Sequence, residues 1–94
     1  MMTPEHIKQR LDEIVAKLRL TDAIVDVEQP GNWIHIVIAT RYFEGKTTGE
    51  RENLIWRVFE KEFDDETILS ITQCYLVTPE EYEETFSPDG SRAH

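Results

Sequence analysis

Residues 33–63 read WIHIVIATRYFEGKTTGERENLIWRVFEKEF. The segment opens on strict alternation. Ile34, Ile36 and Ile38 share one side, and Trp33, His35, Val37 and Ala39 the other, which is the period of a β-strand from Trp33 to Thr40. It closes on Leu54, Ile55, Val58, Phe59 and Phe63, which recur at helical spacing between Glu50 and Phe63. A Gly-Lys-Thr loop lies between, with Thr47 and Thr48 both available to cap the helix. Ile68 to Val77 then reads as another strand. Strand, helix and strand in succession require a parallel crossover, which is normally right-handed.

The flanks extend this unit. Thr3-Pro4-Glu5 is a helix start: threonine caps, proline fits the first helical position, and glutamate suits the positive end of the dipole. Ile7, Leu11, Ile14, Val15 and Leu18 form one apolar face of a helix ending near Arg19. Ala23 to Gln29 is rich in branched residues, and Pro30-Gly31-Asn32 is a turn, so this strand and the next form an antiparallel hairpin. The second strand is the most apolar and belongs in the centre. Asp64-Asp65-Glu66 reads as an acidic break, and the imperfect alternation of Ile68 to Val77 points to a bulge. Thr78-Pro79-Glu80-Glu81 is a capping box opening a short helix to about Phe86.

The expected order is α-β-β-α-β-α, an α/β (α+β) domain with a three-stranded mixed sheet and helices on one face. Residues 1–86 make the single domain and residues 87–94 a disordered tail. The opposite sheet face would carry Trp33, His35 and Val37, either as a partner surface or as an ordinary half-solvated face.

The chain has 94 residues, enough for one modest core without staples. Hydrophobic residues at 39% and charged residues at 31% place it among globular proteins rather than disordered ones. Cys74 is the lone cysteine, so no internal disulfide can form, which fits a reducing compartment. No apolar run approaches the roughly 20 residues of a membrane helix, and the N-terminus lacks the apolar core of a signal peptide. The expected location is the cytoplasm, with no membrane contact.

The formal charge is −9, which repels a phosphate backbone at long range. Between Glu60 and Asp89 there are 10 acids against one base, Lys61. Arg41, Lys46, Arg51 and Arg57 gather mid-chain and could meet an acidic partner, or could be solvated charges balancing neighbouring glutamates.

A phosphate-binding P-loop needs a glycine five residues before the Gly-Lys-Thr, and Thr40 stands there. The Gly-x-x-Gly loop of KH domains is not matched either. Gly45 and Gly49 have three residues between them, and Glu44 and Glu50 flank the segment.

Phe43-Glu44-Gly45-Lys46, followed by Glu50-Arg51 and an apolar helix, resembles the BolA-like family, which reads Phe-x-Gly-Lys, a short spacer and Arg-His. Met2-Thr3-Pro4-Glu5 and Thr78-Pro79-Glu80-Glu81-Tyr82 are similar to that family's opening and ending, so the resemblance spans residues 2–86. It implies a KH-like fold and a link to monothiol glutaredoxins, with a shared iron–sulfur cluster or as an apo heterodimer; some members are linked to transcription or stress response. Here the family's Arg-His falls on Arg51-Glu52, and its cluster-ligating histidine on Ser70. The hairpin loop Pro30-Gly31-Asn32 holds no Cys or His. Serine is a poor iron–sulfur ligand. The resemblance therefore implies a divergent member without cofactor or metal ligation, docking a protein through Arg41, Phe43, Gly45, Lys46, Arg51, Glu52 and Ser70.

Other chemistry is sparse. His6 lies in a first helical turn and His94 on the tail. Cys74 could pair with His35 only if both point to one sheet face; a strand cysteine is otherwise a small buried hydrophobe. One cysteine and scattered histidines do not make a zinc site, and the acidic runs lack calcium-loop spacing. Trp33, Trp56 and Tyr42 could stack on a base or anchor a partner, with Trp33 beside its turn the better exposed candidate. The primary expectation is a non-enzymatic interaction domain. The alternatives are a KH-like nucleic-acid-binding or transcription-regulating module, a small enzyme using Cys74, and a homodimer.

Overall fold

The computed structural model describes residues 3–86. The expected tail and His94 lie outside the described residues. Helix α1 spans Pro4–Leu18, β1 Ile24–Glu28 and β2 Ile34–Ala39. A 3-10 turn at Arg41–Phe43 leads to α2 at Thr48–Glu62 and α3 at Asp65–Ser70, then β3 at Ile71–Val77 and α4 at Pro79–Phe86. The order is thus α-β-β-α-α-β-α around a three-stranded mixed sheet. Its strand order is β1-β2-β3. β1 and β2 are antiparallel, and β2 and β3 parallel.

Each helix starts where its sequence provides a cap. The Thr3 hydroxyl accepts the His6 N–H at 3.2 Å. Of the two threonines before α2, Thr47 is the cap: its hydroxyl accepts from Glu50 N at 3.2 Å while the Glu50 carboxylate accepts from Thr47 N at 2.8 Å. α1 ends at Arg19, which takes a left-handed conformation with φ 57°.

Helix α3 departs from the expected break and strand start at Ile68. Asp64 caps it, accepting the Thr67 N–H at 2.9 Å, and Asp65 and Glu66 suit its positive end. Thr67, through its side chain first and this N–H second, holds the Asp64 carboxyl below its ordinary value. Six residues show too little periodicity to separate a helix from a strand, and Thr67 and Ile68 are branched. The acidic run is therefore a helix start, and β3 begins at Ile71. The expected bulge is present. Ile34 faces Ile71 but His35 faces Gln73, so Thr72 is the extra residue.

Ile34, Ile36 and Ile38 form the floor of the core. Ile7, Leu11 and Ile14 of α1 and Ile55 and Phe59 of α2 cover them, with Phe43 and Phe63 closing the sides. Each such side chain contributes roughly 1.5–3 kcal/mol on burial. Phe59 meets Trp56 and Phe63 edge-on, with centroids 5.1 and 5.4 Å apart. On the other sheet face Ala39 is fully buried, and Tyr82 of α4 donates its hydroxyl to Asp26 Oδ2 at 2.6 Å. That hydrogen bond raises the Tyr82 phenol above its ordinary value. Trp33, at 55% exposure, stays in solvent. Among the described residues no helix is long and apolar enough to cross a membrane.

Candidate functional site

The loop after β2 is built from the strand end outward. Thr40 is fully buried; its hydroxyl donates to the Thr21 carbonyl at 2.6 Å and accepts from Tyr42 N at 3.2 Å. These bonds turn the chain and drive Phe43 into the core. Gly45 follows with φ +79°, a conformation glycine adopts without strain, and carries the chain back to the α2 cap. Glu44 N donates to Arg41 O, Lys46 N to Phe43 O, and Thr47 N to Glu50. Three of the amides that a phosphate cradle would aim at its ligand thus have partners within the loop.

Arg51 holds the loop from behind. Its side chain is buried, with Nε donating to Lys46 O at 3.0 Å and Nη1 to Leu76 O and Glu81 Oε1, both at 2.9 Å. The guanidinium also sits 5.7 Å from the Phe43 ring centroid. Arg51 thereby joins the loop, the end of β3 and the first turn of α4. Its hydrogen bond holds the Glu81 carboxyl below its ordinary value, helped by the Thr78 N–H. Arg41 is paired as well, but at the surface: Asp22, Glu44 and Glu80 lie 2.9, 3.3 and 3.4 Å from its half-exposed side chain, and the Asp22 hydrogen bond raises its guanidinium further.

Two cations remain outward. Lys46 Nζ rests 4.7 Å from the Tyr42 ring centroid. Arg57 is exposed, and among the described residues neither it nor Lys46 has an ion pair. Both line a groove of about 450 Å³ together with Tyr42, Gly45, Asn53 and Leu54. Glu50 is also in its wall, with its carboxylate engaged in the α2 cap.

The seven residues singled out from the sequence therefore separate. Gly45 and Lys46 are in the groove. Arg41 and Arg51 are paired internally, and Phe43 is enclosed at 0% exposure. Glu52 lies on the opposite side of α2, beside Arg51, Cys74 and Leu76. Ser70 is buried and donates to the Glu66 carbonyl at 3.0 Å. It precedes β3, whereas the loop adjoins that strand's last residue through Thr40 N and Val77 O at 3.0 Å. The length of the strand, about 20 Å, separates them. Asn53 is a groove residue that the sequence does not single out, and Leu54, expected on the apolar face of the helix, lines the groove as well. Their signal is the i, i+3, i+4, i+7 spacing from Glu50 to Arg57.

Cys74 and His35 do not form a pair. Cys74 lies opposite Ile36 on the core side, while His35, one residue out of phase, faces the other way opposite Gln73. Burial, with a smaller contribution from the Glu52 charge, pushes the Cys74 thiol up to about 12. Such a thiol is a poor nucleophile at neutral pH. Among the described residues no three His, Cys, Asp or Glu side chains gather as a metal site. Comparison with protein-family models, curated proteins and solved structures finds no match to this chain.

Proposed function

We propose that this chain is a non-enzymatic, BolA-like interaction domain that docks a partner protein of the monothiol glutaredoxin type through the loop at 41–52. The observation that carries the reading is the Arg51 anchor. Three hydrogen bonds hold the loop against β3 and α4 while Gly45 stays exposed and the Lys46 ammonium faces the groove. A loop held in place before binding loses little conformational entropy on docking, which is what a recognition surface requires. The strand, loop and helix succession supports the resemblance carried by Phe43-Glu44-Gly45-Lys46. A non-enzymatic role accords with the suppressed acidity of Cys74 and its separation from His35.

The test mixes the protein with a monothiol glutaredoxin, with and without iron and sulfide, and follows sedimentation and visible absorbance. A colourless heterodimer is expected, because Ser70 stands where the resemblance implies a ligand histidine and the hairpin loop Pro30-Gly31-Asn32 holds no Cys or His. Separate sedimentation of the two proteins overturns the partner assignment. An intensely coloured complex overturns the loss of cluster ligation.

A further inference from the structure

We infer that the groove along the outward face of α2 takes an acidic peptide segment of a partner protein, one that carries an apolar side chain beside its carboxylates. The inference rests on the interaction-domain reading and adds the chemistry of the occupant. It also moves the contact from the loop alone onto the helix that follows.

Charge complementarity is the first argument. The chain carries a formal charge of −9, and acids neutralise the neighbouring Arg41 and Arg51. Lys46 and Arg57 escape such pairing among the described residues, yet both line this one groove. Glu50 also lines the groove and keeps its charge, but the Thr47 N–H orients its carboxylate in the α2 cap, and the two cations outnumber it there. Arg19 and Lys61 are also exposed without an ion pair among the described residues but do not line this groove; two open cations brought together in an acidic protein select an anionic ligand, chiefly through association rate and partner choice.

The second argument is the floor. Tyr42 is 42% exposed and Leu54 is half-buried, so an apolar side chain can lie between the two cations. Asn53 adds an amide able to donate to a carboxylate and accept from a peptide N–H. A single-stranded nucleic acid would set a base on Tyr42, but its chain of phosphates is repelled by a protein of formal charge −9, whereas a short peptide brings only a few charges. A peptide alternating acidic and apolar side chains uses the cations, Tyr42 and Leu54 together.

The test is an array of short peptides of acidic, neutral and basic composition, each with and without leucine or phenylalanine, probed with labelled protein. The same protein is titrated in parallel with a single-stranded oligonucleotide. Acidic peptides containing an apolar residue are expected to bind best and to weaken as salt rises. Lys46→Glu and Arg57→Glu should each lower that affinity about fivefold to tenfold, the scale of losing one exposed pair and gaining a repulsion. Both side chains lie outside the core, and unchanged urea midpoints verify that the variants fold. Equal binding by Arg57→Glu, no preference for acidic peptides, or tighter binding of the oligonucleotide overturns the inference. So does self-association that either variant abolishes, which would make a second copy the occupant. A glutaredoxin complex insensitive to both reversals removes the groove and leaves the proposed function standing. Peptide binding without a glutaredoxin complex does the reverse.

Discussion

The Arg51 guanidinium donates to the Glu81 carboxylate at 2.9 Å, joining the first turn of α2 to the first turn of α4 across the end of β3. The two residues are 30 positions apart, and each also serves local structure. Arg51 satisfies the carbonyls of Lys46 and Leu76, and Glu81 accepts the Thr78 N–H at 2.8 Å in its capping box.

Replacing Arg51 should therefore cost more than a surface ion pair. Arg51→Ala leaves two carbonyls and a carboxylate without their donor, and a loss of about 2–3 kcal/mol is expected in urea unfolding. Arg51→Lys should recover only part of this, because an ammonium cannot reproduce a planar fork reaching three acceptors. Glu81→Gln, on a side chain 46% exposed, should cost about 1 kcal/mol or less. For the same reason Arg51→Glu is a poor probe of docking, since it would disturb the loop itself.

Acid should weaken this joint. The Glu81 carboxyl is depressed from its ordinary 4.5 in the folded chain. Its stabilisation is present above that unfolded value and disappears as pH falls through the lower folded value. Asp64, depressed by Thr67, contributes with the same sign. Stability measured from pH 7 downward should fall on the acid limb, and Glu81→Gln should flatten part of that fall. An unchanged slope in the variant would show that the pair does not supply it.

Cys74 should behave as an inert thiol. Its value of about 12 lies above the ordinary 9.0, so the protonated form is favoured in the folded state. The corresponding stabilisation is present below 9.0 and is lost as pH rises toward 12. A disulfide reagent at pH 8 should react slowly with the native protein and quickly in urea. His35→Ala should leave the native rate unchanged, because the two side chains point to opposite sheet faces.

The glycines of the loop should respond in opposite directions. Gly45 has φ +79°, and no atom lies within 4 Å of the place a Cβ would take, so Gly45→Ala meets only backbone strain of about 1–2 kcal/mol. Gly49 sits inside the first turn of α2, has no positive φ and also has open space beside it. Gly49→Ala should stabilise by roughly 0.5 kcal/mol, since alanine loses less backbone entropy in a helix. Thermal unfolding of the two variants provides the comparison.

Local patterns alone determined most of the architecture. Alternation in Trp33 to Thr40, helical spacing in α1 and α2 and the threonine caps are one-dimensional signals, and chain connectivity made β2 and β3 parallel. Helix α3 was hidden because six residues fall below the length at which a period can be read. The candidate site was legible only as a composition: a loop containing glycine and several cations. Which cations remain available depends on acids far along the chain. Asp22 and Glu80 take Arg41, and Glu81 takes Arg51, while Lys46 and Arg57 are left facing one groove. Charge pairing across such separations is decided by the packing of strands and helices, so only the tertiary structure could distinguish a paired arginine from an unpaired one.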